Sequence, residues 1–174
     1  MTTTRETPTD GVVTLRALEP DDAPALLAGE DDDLVRWLSG ARGTVDGVRR
    51  WIDDCAATWT GDWYAPGAAL AWALCDASTA EVVGTLEVEL SAVDLEPGEA
   101  NLSYGVLAGR RGHHYAARGV ALVLPWLAAH TGTATAVIRV DPANVHSLRV
   151  PLDAGFRRAG RTRRGARFVA PIAR

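Results

Sequence analysis

The sequence predicts an α+β domain, a mixed α/β fold in which helices surround one sheet. Three apolar segments between residues 69 and 107 are spaced as a run of antiparallel strands, and a strand-helix-strand unit follows between residues 100 and 140. Antiparallel strands beside a single β-α-β unit are typical of this fold class. The length of 174 residues is enough for one domain with a hydrophobic core of its own.

The N-terminal part is predicted to contain a leader, one strand and two helices. Residues 1–10 are polar and are expected to form a disordered leader, so that the single domain covers residues 11–174. Residues 12–16 have the pattern of a strand, and Pro20 before two acids marks a helix start, because acids suit the positive end of the helix dipole. A second helix is expected after Thr44, where apolar residues recur at helical spacing: Val48, Trp51, Ile52, Cys55 and Trp59.

The rest of the chain is predicted to hold the remaining strands and two further helices. The strand patterns lie at residues 69–75, 82–90, 100–107 and 134–140, and a tail at residues 157–170 is expected to add one or two edge strands. Helices are expected at residues 115–130 and 144–156. Each contains an interior proline, Pro125 and Pro151, which forces a bend or a restart of the helix.

Composition argues against membrane-spanning and secreted proteins. No apolar run approaches the ~18 residues that span a bilayer, and residues 1–10 lack the apolar stretch of a secretory signal. Two cysteines, Cys55 and Cys75, are too few for a disulfide framework, and the four histidines show no metal-binding spacing. We therefore expect a cytoplasmic protein with two core thiols and no metal.

The charges divide the chain into an acidic and a basic part. Residues 1–100 hold 20 acids and 6 arginines, and residues 101–174 hold 2 acids and 12 arginines; lysine is absent. Either the basic part binds an anion and the acidic part a cation, or the two parts neutralise each other across the fold. No nucleic acid is expected, because the pI is about 5.5 and no aromatic residues interleave the tail arginines.

An arginine-rich turn between a strand and a helix is the most informative segment. The strand ends at Val106-Leu107, and the helix begins near Tyr115 after Arg110 and Arg111. The backbone N–H groups and the positive end of a helix attract anions, and glycines let the backbone approach a phosphate. This turn alone predicts either a phosphate-binding loop or a solvated strand-to-helix connection.

Together with a second segment, the turn resembles the GCN5-related N-acetyltransferase (GNAT) family, in the branch resembling ribosomal-protein N-terminal acetyltransferases. The family pattern Arg/Gln-x-x-Gly-x-Gly/Ala corresponds to residues 111–116, with His114 where the first motif glycine belongs. The family's later Asn-x-x-Ser corresponds to Asn144 and Ser147, before Gly155-Phe156. Over residues 12–168 the resemblance implies a twisted, mostly antiparallel sheet of six to seven strands, splayed central strands and about four helices.

The resemblance also implies that acetyl-CoA binds as the acetyl donor substrate. Its pyrophosphate is expected over the N–H groups of the loop and helix start, and its pantetheine arm along the end of the third strand. The residues expected to bind it are Val106, Leu107, Ala108, Arg111, Gly112, His113, His114, Tyr115, Ala116, Ala117, Asn144 and Ser147. His114 either crowds the phosphates or swings outward and donates to them. Asn144 has the alternative role of a helix N-cap.

Four residues are candidates for catalysis. The N–H of Val106 is expected to donate to the thioester carbonyl. The family often has Glu at the position of Asn101, which cannot act as a base, so Glu87 and Glu89 on the neighbouring strand are the candidate bases, unless their face is an exposed ion-paired surface. Glu99 is a further acid nearby. Ser147, with Tyr104, is a candidate to protonate the leaving thiolate.

The implied reaction is direct acetyl transfer to a primary amine of a peptide N-terminus, a small metabolite or an amine antibiotic. The acidic N-terminal part favours a cationic acceptor, and Trp37, Trp51, Trp59 and Trp63 are candidates to wall its cleft, some of them being core. The alternative is a catalytically weak or inactive CoA-binding or regulatory protein of this fold, which His114, Asn101 and the two helix prolines favour. The oligomeric state, monomer or homodimer, stays open.

Overall fold

One seven-stranded sheet organises this computed structural model, which describes residues 7–92 and 94–173. The strands are β1 (Val13–Ala17), β2 (Leu70–Asp76), β3 (Val82–Glu89), β4 (Glu99–Val106), β5 (Thr135–Val140), β6 (Arg157–Thr162) and β7 (Gly165–Pro171). Their order is β1-β2-β3-β4-β5-β7-β6, and only β4 and β5 run parallel. The predicted α+β class and its mostly antiparallel sheet are confirmed.

Within the part of the chain that the structure describes, five α-helical segments connect the strands. They are α1 (Ala23–Ala28), α2 (Asp32–Leu34), α3 (Val45–Thr60), α4 (Tyr115–His130) and α5 (Arg149–Asp153). A 3-10 turn, Pro20–Asp22, precedes α1, and a π-helical turn, Val35–Ser39, continues α2. Thr44 caps α3, because its side-chain oxygen accepts a hydrogen bond from the N–H of Gly47 at 3.1 Å. A membrane span needs a longer and more apolar helix than any that the described residues form.

The end of the predicted leader is partly described. Residues 1–6 lie outside the described residues. The N–H of Leu15 donates to the carbonyl of Pro8 at 2.8 Å, and Thr9 forms an isolated bridge with Thr14. The chain just before β1 is therefore hydrogen-bonded to that strand.

The helix expected at residues 144–156 is much shorter than predicted. Residues 144–148 form a turn, in which the N–H of Ser147 donates to Oδ1 of Asn144 at 3.2 Å. Pro151 is then the third residue of α5, where the N–H that proline lacks would have no helical acceptor. The helix thus restarts before Pro151, whereas α4 continues through Pro125.

The tail was predicted to form one or two edge strands, and only β6 is an edge. β7 lies between β5 and β6. Its side chains Phe168, Val169 and Ala170 are apolar and buried, as suits an inner strand. The arginines of β6 are exposed, as suits the outer strand.

The two faces of the sheet pack against different helices. Leu86, Val88 and Leu102 face α4, while Ala71 and Ala73 face α1 and α3. Cys55 and Cys75 are free and buried on the α3 side, as expected of core thiols. This alternation follows from the two-residue period of a strand.

Trp59 is a core residue and does not wall a cleft. Its ring lies 4.7 Å from Trp72 and 5.6 Å from Trp126, centroid to centroid, and Trp63 packs on the same group at 5.5 Å from Trp126. Trp51 packs on the cluster beneath α3. Trp37 belongs to neither core cluster, and the guanidinium of Arg36 covers its ring.

Candidate active site

A slot opens between the two parallel strands at the centre of the sheet. β4 and β5 pair only from Glu99 to Asn101, opposite Thr135 to Val137, whereas β4 continues to pair with β3 as far as Val106. Within the described residues, β4 and β5 have no further pairing beyond these three positions. This divergence is the splay of central strands that the resemblance implies.

The backbone of Val106 borders this slot. The N–H of Leu107 donates to the carbonyl of Val83 at 2.9 Å, so Leu107 directs its N–H toward β3. Because successive residues of a strand direct their N–H groups to opposite sides, the N–H of Val106 is directed toward the slot. Its carbonyl accepts from Nε of Arg111 at 3.2 Å. Val106 therefore has a donor available on the side where a thioester carbonyl is expected.

The neighbouring backbone groups are partly in use. The N–H of Ala108 donates to the carbonyl of Gly29 at 3.1 Å, and the carbonyl of Leu107 accepts from Arg110. Of the two polar backbone groups of Ala108, only the carbonyl is left to meet a pantetheine amide. The buried side chain of Leu107 packs close to Gly29.

The loop before α4 has two residues in the left-handed region. Gly112 has φ +85°, and His114, the residue in the place of the motif glycine, has φ +59° and ψ +18°. His114 thus adopts the backbone conformation that a glycine would supply, which histidine tolerates better than a β-branched residue does. Its imidazole is 69% exposed, with Nδ1 3.6 Å from Oδ2 of Asp153. The imidazole therefore extends into solvent beside α5.

We expect His114→Val to lower the free energy of unfolding by roughly 1–2 kcal/mol, since a β-branched residue is strained at this positive φ. His114→Gly is the matched control and should be neutral or slightly stabilising, because it removes the strain. Urea denaturation of the three proteins measures the difference. Equal destabilisation by Val and Gly would contradict the left-handed conformation.

The first turn of α4 presents uncapped N–H groups. His114 makes no side-chain cap, and Arg118 is the first residue whose N–H donates within the helix, to the carbonyl of His114. The N–H groups of Tyr115, Ala116 and Ala117 therefore have no acceptor within the helix. The hydroxyl of Tyr115 donates to Oδ2 of Asp76 at 2.5 Å, which turns that side chain into the protein and fixes the helix start. The ring of His113 lies beside that of Tyr115. The helix start can therefore bind an anion through its backbone.

Arg111 makes an ion pair that the sequence did not reveal. Its Nη1 and Nη2 donate to the two oxygens of Asp31 at 2.7 and 2.8 Å. These hydrogen bonds lower the pKa of Asp31 to about 2. The resemblance assigns Arg111 to the cofactor, whereas in the structure its guanidinium faces the start of α2.

A pair of hydroxyls spans the slot. The hydroxyl of Tyr104 lies 3.1 Å from Oγ of Ser147 and 3.2 Å from its carbonyl oxygen. Burial raises the pKa of Tyr104 to about 12, partly offset by the hydrogen bond with Ser147. Asn144 holds Ser147 through the hydrogen bond that closes the turn. The structure thus brings together the two residues proposed to protonate a thiolate.

Glu87 lies on the other face of the sheet from Tyr104. It pairs in register with Ala71 and Ser103, on the face that packs against α3. Burial, with a smaller contribution from the charge of Glu89, raises the pKa of Glu87 from 4.5 to about 7. No hydrogen bond or ion pair among the described residues involves its carboxylate.

The other two acids have partners. Oε2 of Glu89 accepts from Nδ2 of Asn101 at 3.0 Å, and Oδ1 of Asn101 accepts from Arg139 at 3.0 Å. Glu99 pairs with Arg167. Asn101, in the place where the family often has Glu, thus links an acid to an arginine, and Arg139 is a site neighbour that sequence reasoning missed. Glu87 is left as the stronger candidate base.

Several ion pairs join the acidic and basic parts of the chain. They are Arg110 with Glu81, Arg111 with Asp31, Arg118 with Asp10 and Arg167 with Glu99. These pairs neutralise part of the asymmetry across the fold, as the second of the two interpretations expects. Among the described residues, no group of three or more His, Cys, Asp or Glu could hold a metal ion.

Comparisons with known proteins agree with this geometry. The model of the acetyltransferase (GNAT) domain family matches residues 13–157. No curated protein sequence matches the chain.

Solved structures show the same fold at low sequence identity. Mycobacterium smegmatis RimJ in complex with CoA-disulfide is 21% identical, with a TM-score of 0.77 over 96% of this chain and 88% of that one. A presumed ribosomal-protein-serine acetyltransferase from Vibrio cholerae is 16% identical, with a TM-score of 0.73 over 95% and 97%. AAC(6')-Ib in complex with paromomycin and acetyl-CoA is 19% identical, with a TM-score of 0.71 over 92% and 93%. With a family model that matches most of its length, the chain belongs to the GNAT acetyltransferases.

Proposed function

We propose that this protein transfers an acetyl group from acetyl-CoA directly to a primary amine, on a peptide N-terminus, a small metabolite or an amine antibiotic. The observation that carries the proposal is the slot between β4 and β5, together with the groups beside it. A carboxylate of near-neutral pKa lies on the neighbouring strand β3, on one face of the sheet, and a pair of hydroxyls lies on the other face. An amine can lose its proton on the first face while a thiolate gains one on the second.

The loop and helix start fit a diphosphate. The positive φ angles of Gly112 and His114 and the uncapped N–H groups of the first turn of α4 form a backbone cradle for an anion. The outward imidazole of His114 leaves these N–H groups uncovered. Within the slot, the N–H of Val106 would stabilise the carbonyl oxygen of the thioester as negative charge develops there.

Glu87 is the proposed general base. Its carboxylate would take a proton from the acceptor ammonium, directly or through water, so that the neutral amine can attack. A base with a pKa near 7 is half ionised at neutral pH, which suits proton transfer. The unpaired negative charge also favours a cationic acceptor. AAC(6')-Ib, a structural neighbour solved with paromomycin, supports an amine acceptor by analogy.

Tyr104 and Ser147 are the proposed proton donors to the leaving thiolate. Tyr104 is protonated throughout the neutral range, because its pKa is raised to about 12. Oγ of Ser147 lies 3.1 Å from the tyrosine hydroxyl, so a proton could pass from the tyrosine through Ser147 to the sulfur. No tyrosine lies between Asn144 and Phe156, so strand β4 supplies this group.

Tyr104→Phe is expected to lower kcat by about a hundredfold, the low end of what general acid catalysis contributes. The dissociation constant of acetyl-CoA should change little, because the ring is retained. Steady-state kinetics and calorimetric titration measure the two quantities. A loss confined to acetyl-CoA affinity would mean that the hydroxyl shapes the slot without donating a proton.

Two measurements test the proposed function. The first is the melting temperature with and without acetyl-CoA, which we expect acetyl-CoA to raise. A ligand present at about 100 times its dissociation constant stabilises a protein by about 2.7 kcal/mol. Thiol release is then followed with peptides of free or blocked N-terminus, small primary amines and an aminoglycoside. No shift at millimolar acetyl-CoA would overturn the proposal. A shift without release for any amine would favour the alternative, a CoA-binding protein that lacks transferase activity.

The two buried, free thiols support a reducing compartment, and we propose that the protein is cytoplasmic. Burial raises the pKa of Cys55 to about 12, so that this thiol is unreactive.

A further inference from the structure

The side chain of Arg111 joins three parts of the molecule. Its backbone belongs to the loop before α4, its Nε donates to the carbonyl of Val106 at the end of β4, and its two terminal nitrogens bind Asp31. The pairing is bidentate, the geometry that orients a guanidinium best. Asp31 and Arg111 are 80 residues apart in sequence, so this contact connects distant segments.

Asp31 also fixes the start of the helix that follows it. Its Oδ1 accepts a hydrogen bond from the N–H of Leu34 at 3.0 Å and so caps α2. The same carboxylate therefore holds both the first turn of α2 and the guanidinium of Arg111.

The segment from α2 through its π-helical turn covers the face of β4 on which an acceptor is expected. A Cβ built on Gly105 would meet Cδ2 of Leu38 at 2.7 Å and Cδ2 of Leu34 at 3.0 Å, so these leucines lie directly on the strand. Gly105 shares its face with Ser103, the register partner of Glu87. We call residues 32–39 the roof segment.

The two N–H groups of Arg111 that hold Asp31 could turn to a phosphate only if that pairing broke. That would strand the carboxylate beside Asp33, whose Oδ2 is itself 3.6 Å from Nη1 of Arg111. The N–H groups of Tyr115, Ala116 and Ala117 meanwhile offer an anion site that requires no such exchange. The contacts thus favour an Arg111 that stays with Asp31.

We propose that Asp31 is a positioning residue, which acts through Arg111 to tie the roof segment of the acceptor face to the cofactor loop and so couples binding at the two sites. The inference rests on the proposed function, since it concerns the same cofactor and acceptor. In this arrangement the ion pair between Arg111 and Asp31, which we call the clamp, joins the two sites. A ligand that orders the loop then also orders the roof segment.

Asp31→Asn tests the clamp with little other change, because asparagine keeps an oxygen that can cap α2. Asp33→Asn is the matched control, with the same change of charge two residues away. Asp33 makes a longer contact with Arg111, at 3.6 Å, and no hydrogen bond to it. Amide hydrogen exchange of residues 32–39, with and without CoA, is the principal readout. We expect CoA to protect the roof segment in the wild type and in Asp33→Asn. In Asp31→Asn this protection should be lost, while the dissociation constant of CoA stays within about threefold.

Arg111→Gln and the double variant, Asp31→Asn with Arg111→Gln, complete a double-mutant cycle with Asp31→Asn. If the two residues act only as a pair, each single variant and the double variant should lose the same protection, with no added effect. Kinetics are then measured with an amine that reacts in the thiol-release test. Asp31→Asn should raise the KM of that amine about fivefold or more and leave kcat within about twofold of the wild type. A tenfold or larger loss of CoA affinity in Arg111→Gln, together with tighter binding in Asp31→Asn, would overturn the proposal, because Arg111 would then be a phosphate ligand held back by Asp31.

Failure of the proposed function would look different. If the wild type binds no CoA, the function and the coupling are both overturned. The exchange rates without ligand then still report on the clamp alone. They should be faster over residues 32–39 in Asp31→Asn than in Asp33→Asn.

Discussion

Replacing Glu87 by glutamine is expected to lower kcat/KM by about 10²- to 10³-fold at neutral pH, within the range that general base catalysis contributes. Glutamine has nearly the same shape but cannot accept a proton from the acceptor amine. The Glu87 carboxylate has no described partner whose loss would disturb the fold, so the variant should fold normally. Steady-state kinetics with the best amine of the panel measures the effect.

The pH dependence gives Glu87 a signature of its own. In the wild type, kcat/KM should rise with pH through about 7, as the carboxylate ionises, and this limb should be absent in Glu87→Gln. Stability should change in the opposite direction. The folded protein holds the proton of Glu87 more tightly than the unfolded chain does. The contribution of Glu87 to stability is therefore fully present below pH 4.5 and is lost as the pH rises through about 7.

Glu87→Gln should therefore be more stable than the wild type at pH 8, although it is less active. Denaturation at pH 5 and pH 8 tests this, since the gap between the two proteins should widen with pH. Glu89→Gln is the control. It keeps the base but removes a nearby charge, so the rising limb of the rate profile should move to lower pH. A Glu89→Gln variant as inactive as Glu87→Gln would contradict the assignment of the base.

The sequence predicted those parts of the fold that follow from local periodicity. The hairpin of β2 and β3, the helix from Tyr115 to His130 and the alternation that sets Glu87 and Glu89 on one face all depend on the spacing of apolar residues. The position of the splay came from the resemblance, and the short pairing between β4 and β5 agrees with it. The left-handed conformation of His114 also has a local signal in the sequence, because His114 stands at a motif position where glycine is usual.

The missed features depend on contacts between distant segments. Nothing local distinguishes Glu87 from Glu89. The difference arises because Asn101 donates to Glu89, while Glu87 is half-buried without a described partner. The pairing of Arg111 with Asp31 is likewise invisible in a list of arginines. For α5, the predicted helix failed because Asn144 closes its own turn and Pro151 requires a first-turn position.

Trp72→Ala is expected to destabilise the protein by about 3–5 kcal/mol, as large aromatic deletions in a core do. Trp72 is 1% exposed, and its ring makes edge contacts with Trp59 at 4.7 Å and Trp126 at 5.1 Å. These three residues come from β2, α3 and α4, so the cavity would loosen the contact between the sheet and the helices on both sides of the cluster. In a domain of this size the melting temperature should fall by roughly 6–20 °C.

The effect of Trp72→Ala should be on stability alone, which separates the core from the site. Tyr64→Ala is the matched control, because Tyr64 is 53% exposed and its loss should change stability by no more than about 0.5 kcal/mol. Trp72 lies on the α4 side of β2, far along that helix from the loop that begins it. The fraction of Trp72→Ala that stays folded should therefore bind CoA with the affinity of the wild type. A weaker affinity at a temperature where the variant is fully folded would mean that the tryptophan cluster also sets the position of the cofactor loop through α4.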